Sequence, residues 1–118
     1  MTSEIVVKVE TLDKYIKKNS IKRINLLKID TQGGELDVLI GARNALKKNL
    51  IDLIDTSVMI GNAYEKKFNV YDFEKLLIQF GYKLVGIQSN GQKINIISRS
   101  YLELRLIYCK KKIFELLI

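Results

Sequence analysis

Strand-like and helix-like segments alternate along this chain, and the alternation restricts the fold more than any other feature. Short runs of β-branched and other apolar residues are separated by segments whose apolar residues recur at helical spacing. Such a pattern predicts an α/β domain with a mostly parallel sheet, helices on its faces and right-handed connections. Because no helix separates the last two predicted strands, we expect one of them to run antiparallel. The predicted strands cover residues 5–9, 24–29, 52–60, 82–87 and 102–106.

Three helices are predicted between these strands, each with a local start or stop signal. Thr11 can cap the first helix, and Asn19 and Ser20 end it. The second helix is expected from Glu35 to Lys48, with acids at its start and lysines at its end, as the helix dipole prefers. The third is expected over 70–80, turns are predicted at 61–62 and 89–92, and a loosely attached tail is expected at 110–118.

Length and hydropathy indicate one domain in the cytoplasm. The chain has 118 residues, of which 47% are hydrophobic, and this is enough to build one core. No apolar run approaches the roughly 18 residues that a membrane-spanning helix needs. The N-terminal segment lacks the basic start and the small-residue cleavage site of a signal peptide. We therefore expect a cytoplasmic protein with no membrane association.

The lack of histidine excludes several kinds of chemistry. A Ser-His-Asp triad cannot form without it, and a zinc site is not expected, so we predict no metal centre. The single cysteine, Cys109, cannot form an intramolecular disulfide and has no imidazole to activate it. Cys109 is therefore expected to be a buried structural thiol.

The net charge of +7 raises the question of nucleic acid, but the distribution of the charge does not favour that partner. Sixteen of the 20 basic residues are lysines, and apart from residues 110–112 they are scattered along the chain. Nucleic-acid-binding domains usually carry arginines, aromatic platforms or a basic stripe. We expect a solvated lysine-rich surface and no nucleic-acid partner. A basic adaptor for nucleic acid or an anionic surface, supported by the charge alone, is kept as a third hypothesis for function.

The stretch LLKIDTQGGE, residues 26–35, is the best candidate for a functional site. It places Asp30 at the carboxyl end of a predicted strand, and ligands of open α/β sheets bind beyond such ends. Asp30, Gln32 and Glu35 can therefore converge on one rim, where the glycines let the backbone approach a ligand. A structural interpretation stays open, in which Asp30 bonds to free amides, the glycines form the turn and Glu35 favours the dipole of the next helix.

Several motifs taken together resemble one enzyme family. The segment KIDTQGGE follows the pattern Lys-Ile-Asp-x-Gln-Gly-x-Glu and lies at the matching distance from an earlier Thr-Leu-Asp triplet. On these residues the chain resembles the FkbM family of S-adenosylmethionine-dependent methyltransferases. The resemblance extends over essentially the whole chain, and its motifs are residues 11–13, 27–35, 38–42, 64, 80–82 and 106–108.

The resemblance implies a Rossmann-like class I methyltransferase fold and O-methylation of a small molecule or sugar. S-adenosylmethionine is then the cofactor, and a small-molecule or saccharide acceptor is the substrate. The resemblance further implies that a carboxylate orients or deprotonates the acceptor hydroxyl, while positioning supplies much of the rate. For every residue a purely structural role stays open. The implied catalytic residues are Asp30 and Glu35, the cofactor-binding residues are Asp30, Thr31 and Gln32, and the acceptor-binding residues are Gln32, Glu35 and Tyr64.

Two departures from the family pattern bear on activity. The third strand of the family usually carries a glutamate where this chain has Ser57, and Asp55 is expected to point to the other face of that strand. The second departure is larger: ten residues without glycine precede Thr11, where the class I fold needs a glycine-rich cofactor loop and a ribose-binding acid. Residues 1–118 are thus expected to form a partial FkbM-like domain, truncated at its N-terminus and resembling the C-terminal half.

The truncation changes the expected sheet and the expected activity. In the family's sheet two further strands lie between the third and the fourth, so their loss would leave the strand at 24–29 with one neighbour. We expect a second copy, a partner chain or residues 5–9 to pair with that edge. A non-catalytic remnant or binding module of the same fold is the alternative to a methyltransferase.

Overall fold

The structure is a computed structural model that describes residues 9–31, 33–61, 70–89 and 101–117. Over these ranges the regular elements follow the predicted alternation. The helices are α1 (Leu12–Lys18), α2 (Glu35–Ile40), α3 (Arg43–Lys47), α4 (Val70–Ile78) and α5 (Lys111–Leu117). The strands are β1 (Ile24–Ile29), β2 (Ile51–Gly61), β3 (Tyr82–Ser89) and β4 (Tyr101–Lys110).

The described strands form one mixed sheet in the order β1-β2-β4-β3. β1 and β2 pair in parallel, whereas β4 lies between β2 and β3 and runs antiparallel to both. The prediction of an antiparallel strand among the last two is therefore confirmed, and β1, β2 and β3 share one direction. Residues 5–8 of the predicted first strand lie outside the described residues, as do residue 62 and residues 90–92 of the predicted turns.

The helix predicted over residues 35–48 is in fact two helices, α2 and α3, which separate at Gly41. Asp13 explains the break, because its carboxylate accepts the N–H groups of Asn44 at 2.9 Å and Ala45 at 3.0 Å and so caps a new helix. The Asp13 N–H donates in turn to the Gly41 carbonyl at 3.0 Å. The Thr-Leu-Asp triplet and the Gly-Ala pair of the sequence motifs thus belong to one structural unit.

The C-terminal segment also differs from its prediction. β4 extends to Lys110 rather than to residue 106, and α5 follows it directly. The Lys83 ammonium lies 4.9 Å from the centre of the Phe114 ring, a cation–π contact that joins α5 to β3. The tail is therefore a helix attached to the sheet, where a loose segment was expected.

One face of the sheet forms the core together with α1 to α4. Register places Ile54 opposite Tyr108 and Thr56 opposite Leu106, and all four side chains are buried on this face. Cys109 is also buried, and burial raises the pKa of its thiol, so the expected structural thiol is confirmed. Helix residues that complete the core are Ile16 from α1, Leu36 and Leu39 from α2, Leu46 from α3, and Phe73 and Leu77 from α4.

An ion cluster around the buried Asp52 ties the starts of β1 and β2 to the end of β4. Asp52 is 5% exposed, and its Oδ2 accepts hydrogen bonds from Arg23 Nε at 2.8 Å and Arg23 Nη2 at 2.6 Å. The Lys110 ammonium lies 2.7 Å from the Asp52 Oδ1. Burial by itself raises the pKa of the Asp52 carboxyl, but the hydrogen bonds and charges of Arg23 and Lys110 together outweigh burial and lower this pKa below its usual value.

We expect Asp52→Asn to lower the free energy of unfolding by about 2 kcal/mol at neutral pH, because it removes charge-assisted hydrogen bonds from a buried site. Since the folded-state pKa of Asp52 lies below the unfolded-state value, its contribution is complete above about pH 4 and disappears as the pH falls through the folded-state value. Chemical denaturation at neutral and acidic pH measures both effects, with the exposed Asp37→Asn as the control. Equal stability of the two variants at neutral pH would contradict the prediction.

β1 is the edge of the described part of the sheet, because β2 is its one neighbour there. Leu26 lies near the middle of β1, and its side chain is exposed. Edge strands with exposed apolar residues favour pairing with a further strand. The prediction therefore stands that a second copy, a partner chain or residues 5–9 pair with β1.

Two measurements on the unmodified chain test this prediction. Pairing with a second copy produces a concentration-dependent dimer in size-exclusion chromatography with light scattering. Pairing with residues 5–9 produces slow amide hydrogen exchange in that segment, because its N–H groups enter a ladder of hydrogen bonds. A monodisperse monomer with rapid exchange at residues 5–9 would argue against both.

Candidate functional site

The carboxyl end of β1 carries the acid that the sequence motif singles out. Asp30 follows β1 directly. Ile29 lies opposite Thr56 on β2, so continuing the same register by one residue places Asp30 opposite Ser57. The Asp30 side chain is 51% exposed, whereas Ser57 is buried. Asp30 is thus an accessible carboxylate at the edge where open α/β sheets bind ligands.

Glu35, at the start of α2, is buried and holds the loop after Asp30 in shape. Its Oε2 accepts the backbone N–H and the hydroxyl of Thr31, both at 2.7 Å. Its Oε1 accepts the N–H of Gly33 at 2.9 Å. The structural interpretation of this stretch assigned the amide contacts to Asp30, but in the structure Glu35 makes them. Glu35 therefore braces the loop, and Asp30 points towards another partner.

Two glycines permit this tight loop for different reasons. Gly33 has a φ of +117°, a backbone conformation that residues with side chains rarely adopt. Gly34 is limited by space, because a Cβ there would lie 3.1 Å from the Thr31 hydroxyl oxygen. That hydroxyl is the group that donates to Glu35, so both glycines permit the hydrogen bonds by which Glu35 holds the loop.

Arg105 on β4 is the partner of Asp30, and sequence analysis missed it. Its Nε donates to the Asp55 Oδ1 at 2.9 Å, and its Nη1 lies 3.7 Å from the Asp30 Oδ2. The Arg105 side chain is only 11% exposed, so the guanidinium is held between the two carboxylates. Sequence alone indicates a polar residue on the wetter face of the last strand. Only the pairing of β4 with β2 identifies Arg105 as a neighbour of this site, because the register places it opposite Ser57.

The expectation that Asp55 points away from the face of Ser57 is wrong, and strand geometry gives the reason. Residues two apart on a strand point to the same face. Asp55 and Ser57 therefore share a face, which is also that of Arg105, the residue opposite Ser57 and the donor to Asp55. The carboxylate that this chain lacks at Ser57 thus has a counterpart two residues earlier on the same face.

The remaining predicted site residues divide into two groups. Thr31 and Glu35 contact each other, while Gln32 and Tyr64 lie outside the described residues, so the roles of those two stay predictions. Within the described ranges, no group of three histidine, cysteine, aspartate or glutamate side chains is placed to hold a metal ion. A helix long and apolar enough to cross a membrane does not occur in the part of the chain that the structure describes.

We expect Glu35→Gln to lower the free energy of unfolding by about 2 kcal/mol, because an amide replaces a buried carboxylate that accepts hydrogen bonds from three donor groups. The amide N–H groups of Thr31 and Gly33 should also exchange faster with solvent. Chemical denaturation and hydrogen exchange measure these effects, and the exposed Glu10→Gln is the matched control. If stability and exchange at both amides matched the control, the brace would have no energetic role.

Comparison with known proteins agrees with the motifs. The family model described as the Methyltransferase FkbM domain matches residues 2–84, which is well over half of the chain. No curated protein and no solved structure matched. The matched range contains the rim from Asp30 to Glu35, whereas Arg105 lies beyond it.

The fold and the family match support each other. A mixed sheet with helices from α1 to α4 on one face fits a methyltransferase-like α/β fold. The Thr-Leu-Asp triplet, the braced rim and the Gly-Ala break all lie within the matched range. The chain belongs to the FkbM methyltransferase domain family.

Proposed function

We propose that the chain transfers a methyl group from S-adenosylmethionine to a hydroxyl oxygen of a small molecule or sugar. Membership of the FkbM family supports methyl transfer in general. The observation that carries the finer proposal is the half-exposed Asp30 carboxylate at the carboxyl end of β1, beside a loop that Glu35 braces. A carboxylate in this position can orient an acceptor hydroxyl and take its proton.

The proposed step needs one base and good alignment. Asp30 would take the proton of the acceptor hydroxyl. S-adenosylmethionine, if bound, would supply the methyl group to the acceptor oxygen, and its sulfur would keep the electron pair of the carbon–sulfur bond. Because the displacement is in line, an acceptor held at the rim gains much of its rate from position.

Glu35 fits this proposal as a positioning residue, although the resemblance implied a catalytic one. Its carboxylate is turned into the loop, where it accepts hydrogen bonds from three donor groups. Thr31 gives both its N–H and its hydroxyl hydrogen to Glu35, so it offers a ligand its oxygen atoms as acceptors. Gln32 remains a proposed contact on the cofactor side and the acceptor side, and Tyr64 remains one on the acceptor side.

Asp30 and Thr31 are the described residues that could line one side of a cofactor site. Asp30 and Thr31 form an exposed rim, but the amides of Thr31 and Gly33 already bind Glu35 and so do not serve a cofactor. The ten residues before Thr11 contain no glycine. In this proposal the described residues supply the acceptor rim.

A non-catalytic binding module with the same fold is the alternative, and cofactor binding separates the two. The first test is calorimetric titration of the purified chain with S-adenosylhomocysteine, the product form of the cofactor. Saturable binding at micromolar concentration supports the methyltransferase. No binding at millimolar ligand contradicts activity of the chain alone and favours the binding module.

We expect Asp30→Asn to reduce the turnover number for methyl transfer by about 100- to 10,000-fold, because it removes the proposed base. Stability should change by less than about 0.5 kcal/mol, since the side chain is half exposed. Transfer of a radiolabelled methyl group to a panel of hydroxylated acceptors measures the effect. Asp37→Asn, on the following helix, is the matched control. Equal turnover of the two variants would exclude Asp30 as the base.

A further inference from the structure

We propose that Arg105, anchored by Asp55, is a positioning residue that fixes the orientation of the Asp30 carboxylate. The three side chains come from different parts of the sheet: Asp30 follows β1, Asp55 lies on β2 and Arg105 lies on β4. The catalytic consequence of this inference rests on the proposed function, whereas the geometry can be tested without it. Arg105 also lies outside the range that matches the family, so the family does not assign its role.

Sheet register places the three side chains on one face. Arg105 is opposite Ser57, and Asp55 is two residues before Ser57 on the same side of β2. In the parallel pair, Lys28 is opposite Asp55, so Asp30 falls in line with Ser57 and Arg105. A serine at the central position is short enough to let the guanidinium reach across to Asp30.

The contacts of Arg105 are unequal, and the inequality separates their roles. Nε donates to the Asp55 Oδ1 at 2.9 Å, and Nη2 donates to the Asp55 carbonyl oxygen at 3.5 Å. Nη1 lies 3.7 Å from the Asp30 Oδ2, which is an ion pair without a direct hydrogen bond. Exposure follows the same order, since Asp55 is 24% exposed and Asp30 is 51% exposed. Asp55 therefore fixes the position of the Arg105 guanidinium, and the guanidinium in turn orients the more exposed Asp30 carboxylate.

This arrangement leaves one oxygen of Asp30 for an acceptor. The ion pair with Arg105 is the one ionic contact of Asp30 among the described residues, and it involves Oδ2. Because the guanidinium is largely buried, its attraction for Oδ2 is stronger than it would be in water. Oδ2 is held towards β4, so Oδ1 is the atom that faces an acceptor hydroxyl.

The free chain tests the positioning with no acceptor or cofactor. NMR of the carboxylate carbons at neutral pH, assigned with Asp30→Asn, reports the environment of Asp30, and exposed Asp37 is the internal reference. We expect Arg105→Gln and Arg105→Lys both to move the Asp30 signal towards that of Asp37. Lysine keeps the charge but loses the planar fork that spans two carboxylates. Lys83→Gln removes a cation from β3 of the same sheet and should leave the Asp30 signal unchanged.

Two outcomes of this experiment overturn the proposal. One is an Asp30 signal that does not move in Arg105→Gln. The other is a wild-type signal in Arg105→Lys, because charge alone would then suffice. If Arg105→Gln does not fold, Asp55→Asn answers the same question, since it removes the anchor and should move the Asp30 signal in the same direction.

Turnover measures the catalytic consequence. We expect Arg105→Lys to lower the turnover number by about 10- to 100-fold, with little change in the KM for the acceptor, because a misplaced catalytic group carries such a factor. If the ion pair has only a structural role, Arg105→Lys will change thermal stability but not the turnover number of the folded enzyme. That result would overturn the proposed effect of Arg105 on catalysis. A wild-type chain with no methyl transfer contradicts the proposed function, and the NMR result then decides the positioning role by itself.

Discussion

The antiparallel pairing of β4 with β2 is the interaction on which the arrangement of this molecule depends. It sets Tyr108 against Ile54 on the core face and Arg105 against Ser57 on the other. Because neighbours along a strand alternate between faces, one ladder builds both the core and the charged cluster. A slip of one residue would turn Arg105 into the core and Leu106 out of it. The apolar face therefore fixes the register, and the register places the cation beside Asp30.

Burial and partners divide the carboxylates of this chain into different roles. Asp52 and Glu35 are both buried, and their oxygens are engaged by cations or by loop donors. Such groups stabilise the structure and have little left to offer a ligand. Asp30 is half exposed and has one ionic contact at 3.7 Å, so its carboxylate remains accessible. Of the two acids of the motif, Asp30 is thus the accessible one, and Glu35 is the buried one that holds the loop.

Local signals explain how much of the fold and the site the sequence predicts. The alternation of elements, the antiparallel strand, the buried thiol and the position of Asp30 at a strand end all depend on short-range pattern. The features that were missed depend on residues far apart in the chain. The break at Gly41 is caused by Asp13, whose carboxylate caps a helix 31 residues later. Arg105 reaches Asp55 across 50 residues, and only strand pairing brings the two together.

The edge of the described sheet and the rim at Asp30 both belong to β1, and this limits which partner strand could contribute to both. Asp30 lies at the carboxyl end of β1, so a strand that pairs with β1 in parallel would also end beside Asp30. The loop after such a strand would then face the rim, which is where the proposed methyltransferase would need a glycine-rich cofactor loop. An antiparallel strand would instead start at this end, and its following loop would lie at the opposite edge, near Asp52. Covering the edge and completing the site are therefore one event only for a parallel partner.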